Sequence, residues 1–204
     1  MDFLAERDRL FSRLHSTLLK PQGFKKSGHW SVKSQGQFHW AVYLRASRFG
    51  NASHAVFWFD LLIFHDALHE LLWGPGSFPG MKESTRSLVR EEVGDHCTPK
   101  LSTLTIDEKT EIEALESTLL NGFTNFAIPL FETCHTLEGV LKYFISNQNW
   151  LQDGLSAASV ALSLGREQDA REYISLAKRS SKHTNVLEFL EKREKALWSN
   201  FARG

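Results

Sequence analysis

The chain has few cysteines and prolines, and it lacks a long apolar run. Its 204 residues include two cysteines, Cys97 and Cys134, and five prolines. Two isolated thiols are too few for a disulfide scaffold and are typical of a reduced, cytosolic protein. No apolar run approaches the roughly 20 residues that a membrane-spanning helix needs, and the charged N-terminus has no apolar signal core. We therefore expect a cytoplasmic protein with no membrane partner.

An excess of one charge sign is also missing. Lys and Arg together number 24, as do Asp and Glu, so the net charge is zero. The total conceals a polarity: residues 1–54 carry nine basic and three acidic side chains, residues 55–135 five and thirteen, and residues 136–204 ten and eight. This polarity could steer a charged partner, although solvated faces of opposite sign explain it as well.

Apolar and aromatic residues are concentrated between Gly23 and Phe64, and they predict a sheet. Apolar and polar residues alternate over 30–33 and 38–45, whereas Ala55–Phe64 is apolar at nearly every position except Asp60. Alternation marks a strand with one wet face, and an unbroken apolar run marks a strand covered on both faces. The pattern predicts an antiparallel meander with the third strand nearest the middle. The turns between these strands are expected at Gln35-Gly36 and Phe49-Gly50-Asn51.

Helical periodicity precedes and follows this sheet. Apolar residues recur at helical spacing from Phe3 to Leu18, and Pro21 with Gly23 stops the pattern. Thr105-Ile106-Asp107-Glu108 fits a capping box, which predicts that a long helix begins there and that Pro129 kinks or ends it. Later helices are expected from Thr136 and over about 151–164, 167–179 and 184–201. Between sheet and helices, Gly74–Gly80 predicts a loop, 84–93 is weakly strand-like, and 101–106 is more strongly so.

These patterns predict an α+β fold. An antiparallel meander sheet of four or five strands is flanked by an N-terminal helix and a C-terminal run of about five helices. We expect a core domain over residues 1–149 and a C-terminal helical segment over 150–204. That segment is expected to pack on the core, because its leucines must be buried against something.

Two resemblances accompany this layout. The leading helix, Gly23-Phe24-Lys25-Lys26-Ser27-Gly28, the aromatic meander and Pro129-Leu130-Phe131-Glu132 followed by Thr136-Leu137-Glu138 resemble a bacterial family of unknown function. The resemblance covers about residues 1–146 and implies a short soluble α+β protein, and it supplies no catalytic residue. Ala161-Leu162-Ser163-Leu164-Gly165, followed by Asp169-Ala170 and Ala177, is similar to the middle of a single tetratricopeptide-like helical hairpin.

The histidines of His65-Asp66-Ala67-Leu68-His69 are the candidate metal ligands. Histidines four apart share one face of a helix, as in zinc hydrolases that carry His-Glu-x-x-His. A third ligand would come from Glu70, Asp95 or His96. A metal-dependent hydrolase using His65 and His69 is therefore one alternative function, although aspartate reaches less far than glutamate and the pair directly follows a strand.

No other motif points to catalysis or to a cofactor. Neither cysteine has a visible dyad partner, and no Gly-rich phosphate loop follows a strand. We therefore predict no cofactor, and the sequence leaves the enzyme question open while favouring a non-enzyme. Single-stranded nucleic-acid binding is a second alternative, because basic residues surround an aromatic sheet. The basic residues are Lys25, Lys26, Lys33, Arg45 and Arg48.

The favoured interpretation is a non-catalytic, protein-binding module, such as a toxin-neutralising immunity protein or an adaptor. Alternation predicts that one sheet face takes Trp30, Val32, Phe38, Trp40, Val42 and Leu44 into the core. His29 and Lys33 should then lie on the other face. The predicted binding surface on that other face is His39, Tyr43, Arg45, Trp58 and Asp60, whose aromatic and arginine side chains are favoured at interface centres. Coverage of this face by the C-terminal helices is the alternative.

Overall fold

A computed structural model describes residues 2–51, 53–74 and 87–203. The fold is α+β, as predicted. The strands are β1 Lys25–Ser27, β2 Trp30–Gln35, β3 Phe38–Ala46, β4 Ala55–His65, β5 Val89–Glu92 and β6 Leu104–Ile106. The helices are α1 Phe3–Leu14, α2 Asp66–Trp73, α3 Ile112–Gly122, α4 Ile128–Thr133, α5 Leu137–Asn147, α6 Trp150–Ser163, α7 Glu167–Ser180 and α8 Thr184–Phe201.

The chain divides into two compact units. A sheet unit contains residues 1–63 and 90–131, and a helical unit contains residues 64–89 and 132–204. The domain boundary expected near residue 149 stays a prediction. The loop expected over 74–80 lies, beyond Gly74, outside the described residues, as does the start of the strand expected over 84–93. None of the described helices is both long and apolar enough to cross a bilayer.

The sheet has six strands in the order β1-β2-β3-β4-β5, and β6 also pairs with β4. β4 therefore lies inside the sheet, as its apolar run predicted. The sequence did not reveal β1, because Gly23-Phe24-Lys25-Lys26 resembled a turn. Two-residue turns join β1 to β2 and β2 to β3, and each begins with a glycine at positive φ, +56° at Gly28 and +59° at Gly36. Glycine adopts this left-handed conformation without the steric penalty that a Cβ atom brings.

Aromatic packing on one side of the sheet forms the core of the sheet unit. The ring of Phe59 on β4 lies 5.5 Å from Phe11 of α1 and 5.7 Å from Phe123. Phe57 and Leu44 are fully buried on the same side. We call this side the inner face and the opposite side the outer face. Burying an aromatic ring of this size stabilises the fold by about 2–3 kcal/mol.

The predicted faces of β2 are wrong. Trp30 pairs with Tyr43 and Ser31 with Val42, so Trp30 and Val32 lie on the outer face. Ser31 is fully buried instead, because the Nδ1 atom of His15 lies 2.8 Å from its hydroxyl. A prediction from alternation assumes that burying a hydroxyl costs free energy. A buried hydroxyl with a hydrogen-bond partner avoids that cost.

Two polar residues of this region, which were expected on the outer face, lie on the inner side instead. Lys33 pairs with Trp40, and its Nζ atom lies 5.8 Å from the Trp40 ring centroid. The Nε2 atom of His29 lies 3.4 Å from a carboxylate oxygen of Asp8 on α1. The expectation that His29 and Lys33 share the outer face is therefore also wrong.

The predicted capping box is wrong as well. Residues 104–106 form β6, and α3 begins only at Ile112. The carboxylate of Asp107 accepts hydrogen bonds from the backbone N–H of Lys109 and the hydroxyl of Thr110. Aspartate and threonine satisfy backbone donors in turns as well as in helix caps, and here they close a turn.

The helical run after α3 is interrupted just ahead of Pro129. A π-helical turn, Phe123–Ala127, leads into α4, where Pro129 occupies the second position. Proline cannot donate to the preceding turn but is tolerated in the first turn of a helix. The change from α-helical to π-helical hydrogen bonding therefore occurs just before Pro129, the residue that causes it.

The helical unit is built around the α6–α7 hairpin. A Cβ atom added to Gly154 of α6 would lie 2.6 Å from the Cβ atom of Ala177 and 2.9 Å from the carbonyl oxygen of Tyr173. The rings of Trp150 and Tyr173 stack at 5.2 Å and 6°. Gly165 ends the first helix at φ +72°. Small residues thus allow the backbones of α6 and α7 to approach closely.

Gly154→Val should destabilise the helical unit by about 2 kcal/mol, because the new side chain meets backbone as well as a methyl group. Ser163→Val, at an exposed position of the same helix, is the matched control and should change stability by less than about 0.5 kcal/mol. Urea unfolding followed by circular dichroism measures both. Equal midpoints for the two variants would contradict the close contact between α6 and α7.

Candidate interaction surface

The outer face of the sheet unit keeps large side chains half-exposed. Its exposed residues alternate with the buried inner set on β2, at both ends of β3 and over the first four residues of β4, whereas Ala41 and all of β4 from Phe59 to His65 are buried. On the inner face Trp40, Val42 and Phe57 are buried. The half-exposed outer residues are Trp30, Val32, His39, Tyr43, Arg45, Val56 and Trp58.

Two of the outer aromatic side chains form a rigid pair. The rings of Trp30 and Tyr43 stack with centroids 4.2 Å apart and planes 17° apart. They are directly opposed across the β2–β3 ladder. Aromatic pairs of this kind contribute about 0.5–1.5 kcal/mol beyond their area burial, so both rings are held in place.

A fully buried carboxylate lies beside this pair of strands. Asp60 of β4 has 0% side-chain exposure. The Nε atom of Arg45 donates to one of its oxygens at 2.9 Å, and an Nη atom donates to the other at 3.2 Å. Arg90 of β5 donates to Asp60 at 3.2 Å, and Glu92 accepts from Arg45. The four charges sum to zero, so the network neutralises itself.

Arg45 is held on three sides. Its guanidinium carbon lies 4.3 Å from the ring centroid of Trp58, a cation–π contact. The indole N–H of Trp58 in turn donates to the carbonyl of Ser102 at 3.3 Å. Burial acts to lower the pKa of Arg45, but the hydrogen bond and charge of Asp60, with Glu92, raise it overall. The guanidinium is therefore charged and immobilised.

The structure brings Arg45, Trp58 and Asp60 together, and Tyr43 lies on the same face. His39 is on this face too, but six residues along β3 separate it from Arg45 by roughly 20 Å. The Nδ1 atom of His39 lies 2.8 Å from the hydroxyl of Ser34. Asp60 is too deeply buried to touch a partner, so its role is to hold the arginines. Sequence reasoning missed Arg90 and Glu92, which no periodic signal placed beside Asp60.

The candidate metal pair adopts a different geometry from the one predicted. His65 is the N-cap of α2, with extended backbone at φ −145° and ψ 122°, and its Nδ1 atom accepts from the N–H of Leu68. Only His69 lies within the helix, although both histidines line one small cavity together with Phe64, Leu72 and Leu88. The described part of the chain contains no group of three His, Cys, Asp or Glu side chains that could hold a metal ion.

The two thiols are buried and unreactive. Burial raises the pKa of Cys134 to about 12, and it also raises the pKa of Cys97. A thiol is a nucleophile only as the thiolate. Neither cysteine is therefore poised for catalysis at neutral pH.

A cleft of about 380 Å³ at the start of α1 offers no reactive group. It is lined by Phe3, Ser53, Asp107, Glu108, Thr110 and Ile112. The hydrogen bonds from the Thr110 hydroxyl and the Lys109 N–H lower the pKa of Asp107. A carboxylate stabilised in its charged form is a poor general base, so the cleft does not support an enzymatic function.

Comparison with known proteins gave no relative: no family model, curated protein or solved structure matches the chain.

His15 and Ser31 form a buried polar pair that the sequence did not reveal. Their 2.8 Å contact has the elements of a serine–histidine dyad. Ser31 is fully buried, however, and burial with the charges of Lys26 and Lys20 lowers the pKa of His15. The charges that act on the imidazole are positive, whereas a dyad needs a carboxylate to stabilise the imidazolium. The pair is therefore a structural contact.

Arg45→Ala should destabilise the protein by about 3 kcal/mol. Removing one partner of a buried ion pair leaves an uncompensated charge, and Arg90 compensates Asp60 only in part. Arg9→Ala removes an arginine whose ion pair with Glu6 is largely exposed on the arginine side. This control should cost less than about 1 kcal/mol. Similar chemical-denaturation midpoints for the two variants would show that Asp60 does not depend on Arg45.

The stability of the protein should fall as the pH falls through the ordinary histidine range. Because the folded state lowers the pKa of His15, the unfolded state binds more protons below about pH 6.5, which favours unfolding. His15→Gln should flatten this part of the profile, whereas His39→Gln, on the outer face, should preserve it. Urea titrations at about pH 7.5 and about pH 5.5 measure the difference. An equally steep profile for His15→Gln would assign the effect to another group.

Proposed function

We propose that this chain is a non-catalytic module that binds another protein through the outer face of its sheet unit. The supporting observation is the composition and rigidity of that face. Trp30, Tyr43, Arg45 and Trp58 are half-exposed, and each is held by a neighbouring ring or charge. Trp, Tyr and Arg are the residue types that dominate the energy of protein interfaces.

Rigidity favours binding at this face because it reduces the entropy lost on association. An immobilised side chain avoids the roughly 0.5–1.5 kcal/mol that ordering a flexible one costs. The Trp30–Tyr43 stack and the bidentate Arg45–Asp60 contact are already formed in the free chain. Val32 and Val56 contribute apolar area beside them.

At a finer level, we propose a bacterial, cytoplasmic protein that acts as a toxin-neutralising immunity protein or as an adaptor. Such proteins work through a shaped surface and require no reaction centre. This part of the proposal rests on protein class and on the resemblance described above. The identity of the bound protein distinguishes the two roles, because an immunity protein must bind and inactivate a toxin.

A photo-crosslinking residue placed at Val32 should form a covalent adduct with the partner in cells of the source organism. The control places the same residue at Ser117, an exposed position of α3 in the same unit. Mass spectrometry identifies the adduct, and the purified partner should then bind the full chain saturably.

Adduct formation should be lost when Tyr43→Ser is added to the Val32 probe, while the melting temperature falls by only a few degrees. Adducts from Ser117 alone, or from neither position, would refute binding through the outer face. Adducts that survive Tyr43→Ser unchanged would also count against it.

A further inference from the structure

Five arginines of the sheet unit are paired with carboxylates, but a group of lysines is not. The paired contacts are Arg7–Asp8, Arg9–Glu6, Arg13–Glu116, Arg45–Asp60 and Arg90–Asp60. By contrast, four lysines make no ion pair with any residue that the structure describes. We call them the lysine edge: Lys20, Lys25, Lys26 and Lys33.

The lysine edge surrounds β1. Lys25 and Lys26 are consecutive on this strand, so their side chains point to opposite faces of the sheet. The side chain of Lys33 passes Gly23, with its Cε atom 4.0 Å from the position of an added Cβ atom. The carbonyl oxygen of Lys20 accepts a hydrogen bond from the N–H of Gly23 at 3.0 Å, two residues before β1 begins. Four positive charges therefore flank one short strand.

β1 is the last strand on its side of the sheet. Among the strands that the structure describes, it pairs only with β2, through Lys25–Val32, Lys26–Ser31 and Ser27–Trp30. All three of its residues are exposed. An edge strand presents backbone donors and acceptors that another strand can satisfy.

We propose that the lysine edge receives an extended, acidic segment of the partner protein, which adds to β1 as a further strand. This inference rests on the proposed protein-binding function and names the chemistry of the partner. Edge lysines discourage pairing with an uncharged strand, because their ammonium groups would lose hydration without compensation. An acidic strand supplies that compensation, so the same lysines select it.

The placement of the lysines defines the segment further. Since Lys25 lies on the outer face and Lys26 and Lys33 lie on the inner side, acidic side chains are required on both faces of the added strand. Neighbouring positions of the segment should therefore be acidic, rather than alternate ones only. On the outer face the segment would lie beside Lys25, one strand further out than Val32, and would extend the surface described above.

A nucleic acid fits the lysine edge less well. Binding of single strands relies on aromatic rings that stack with bases. The rings beneath the lysines are buried: Phe11 lies under Lys26, and Trp40 lies under Lys33. On the outer face, Tyr43 already covers one side of the Trp30 ring beside β1, so the edge offers charge and backbone hydrogen bonds rather than an open row of rings.

The test uses the full chain and a short synthetic peptide of threonines and paired glutamates, with a glutamine version as control. The acidic peptide should shift the amide NMR signals of Lys25, Lys26 and Ser27 saturably. Added salt should weaken the binding of this peptide. Lys20→Glu with Lys25→Glu should weaken binding by at least about tenfold. The matched control reverses two other exposed lysines, Lys142 and Lys192, and should leave the affinity within about twofold.

Three outcomes would overturn the inference. In the first, the glutamine peptide binds as tightly as the acidic one. In the second, the NMR signals that shift belong only to residues away from β1. In the third, an oligonucleotide binds at β1 and the acidic peptide does not. The Val32 crosslink separates this result from the proposed function. If Lys20→Glu with Lys25→Glu leaves that adduct unchanged, the outer face still binds a protein, but the lysine edge does not select it.

Discussion

Asp60 carries a charge in the middle of β4, where its side chain has 0% exposure. A buried carboxylate is tolerated only when it is paired and hydrogen-bonded, so Arg45 from β3 and Arg90 from β5 must lie beside it. This requirement ties three strands together by side chains as well as by the backbone. It also fixes Trp58, which lies against Arg45. The arrangement of the outer face therefore follows from one interior charge.

The same residue explains how much of the surface could be predicted. Asp60 interrupts an otherwise apolar strand, and its alternation with Phe57 and Phe59 placed it on the face of Trp58. Arg45 then had to share that face if β3 kept Val42 and Leu44 inward. These placements needed only the two-residue period of a strand. Arg90 and Glu92 could not be placed, because their position depends on how a distant strand pairs with β4.

The other predictions were wrong because they did not account for polar residues that form hydrogen bonds within the fold. Alternation assigned the apolar residues of β2 to the core, yet Ser31 is buried because His15, sixteen residues earlier, bonds to it. Thr110 and Asp107 carry the chemistry of a helix cap but use it in a turn. His65 has the spacing of a metal ligand but caps α2. In each case, the observed structure depends on a hydrogen bond that composition and spacing do not reveal.

The two proposed contacts differ in their physics and would contribute to binding at different stages. The outer face contains a charge network that sums to zero, so it exerts little force at a distance. Its contribution is short-range, through ring area and side chains that are already ordered. The lysine edge has four unbalanced charges, whose attraction extends over about a Debye length of 8 Å at physiological salt. Such charges raise the association rate and reject wrong partners more than they slow dissociation. A partner that used both would therefore be oriented by β1 before Trp30 and Tyr43 made contact.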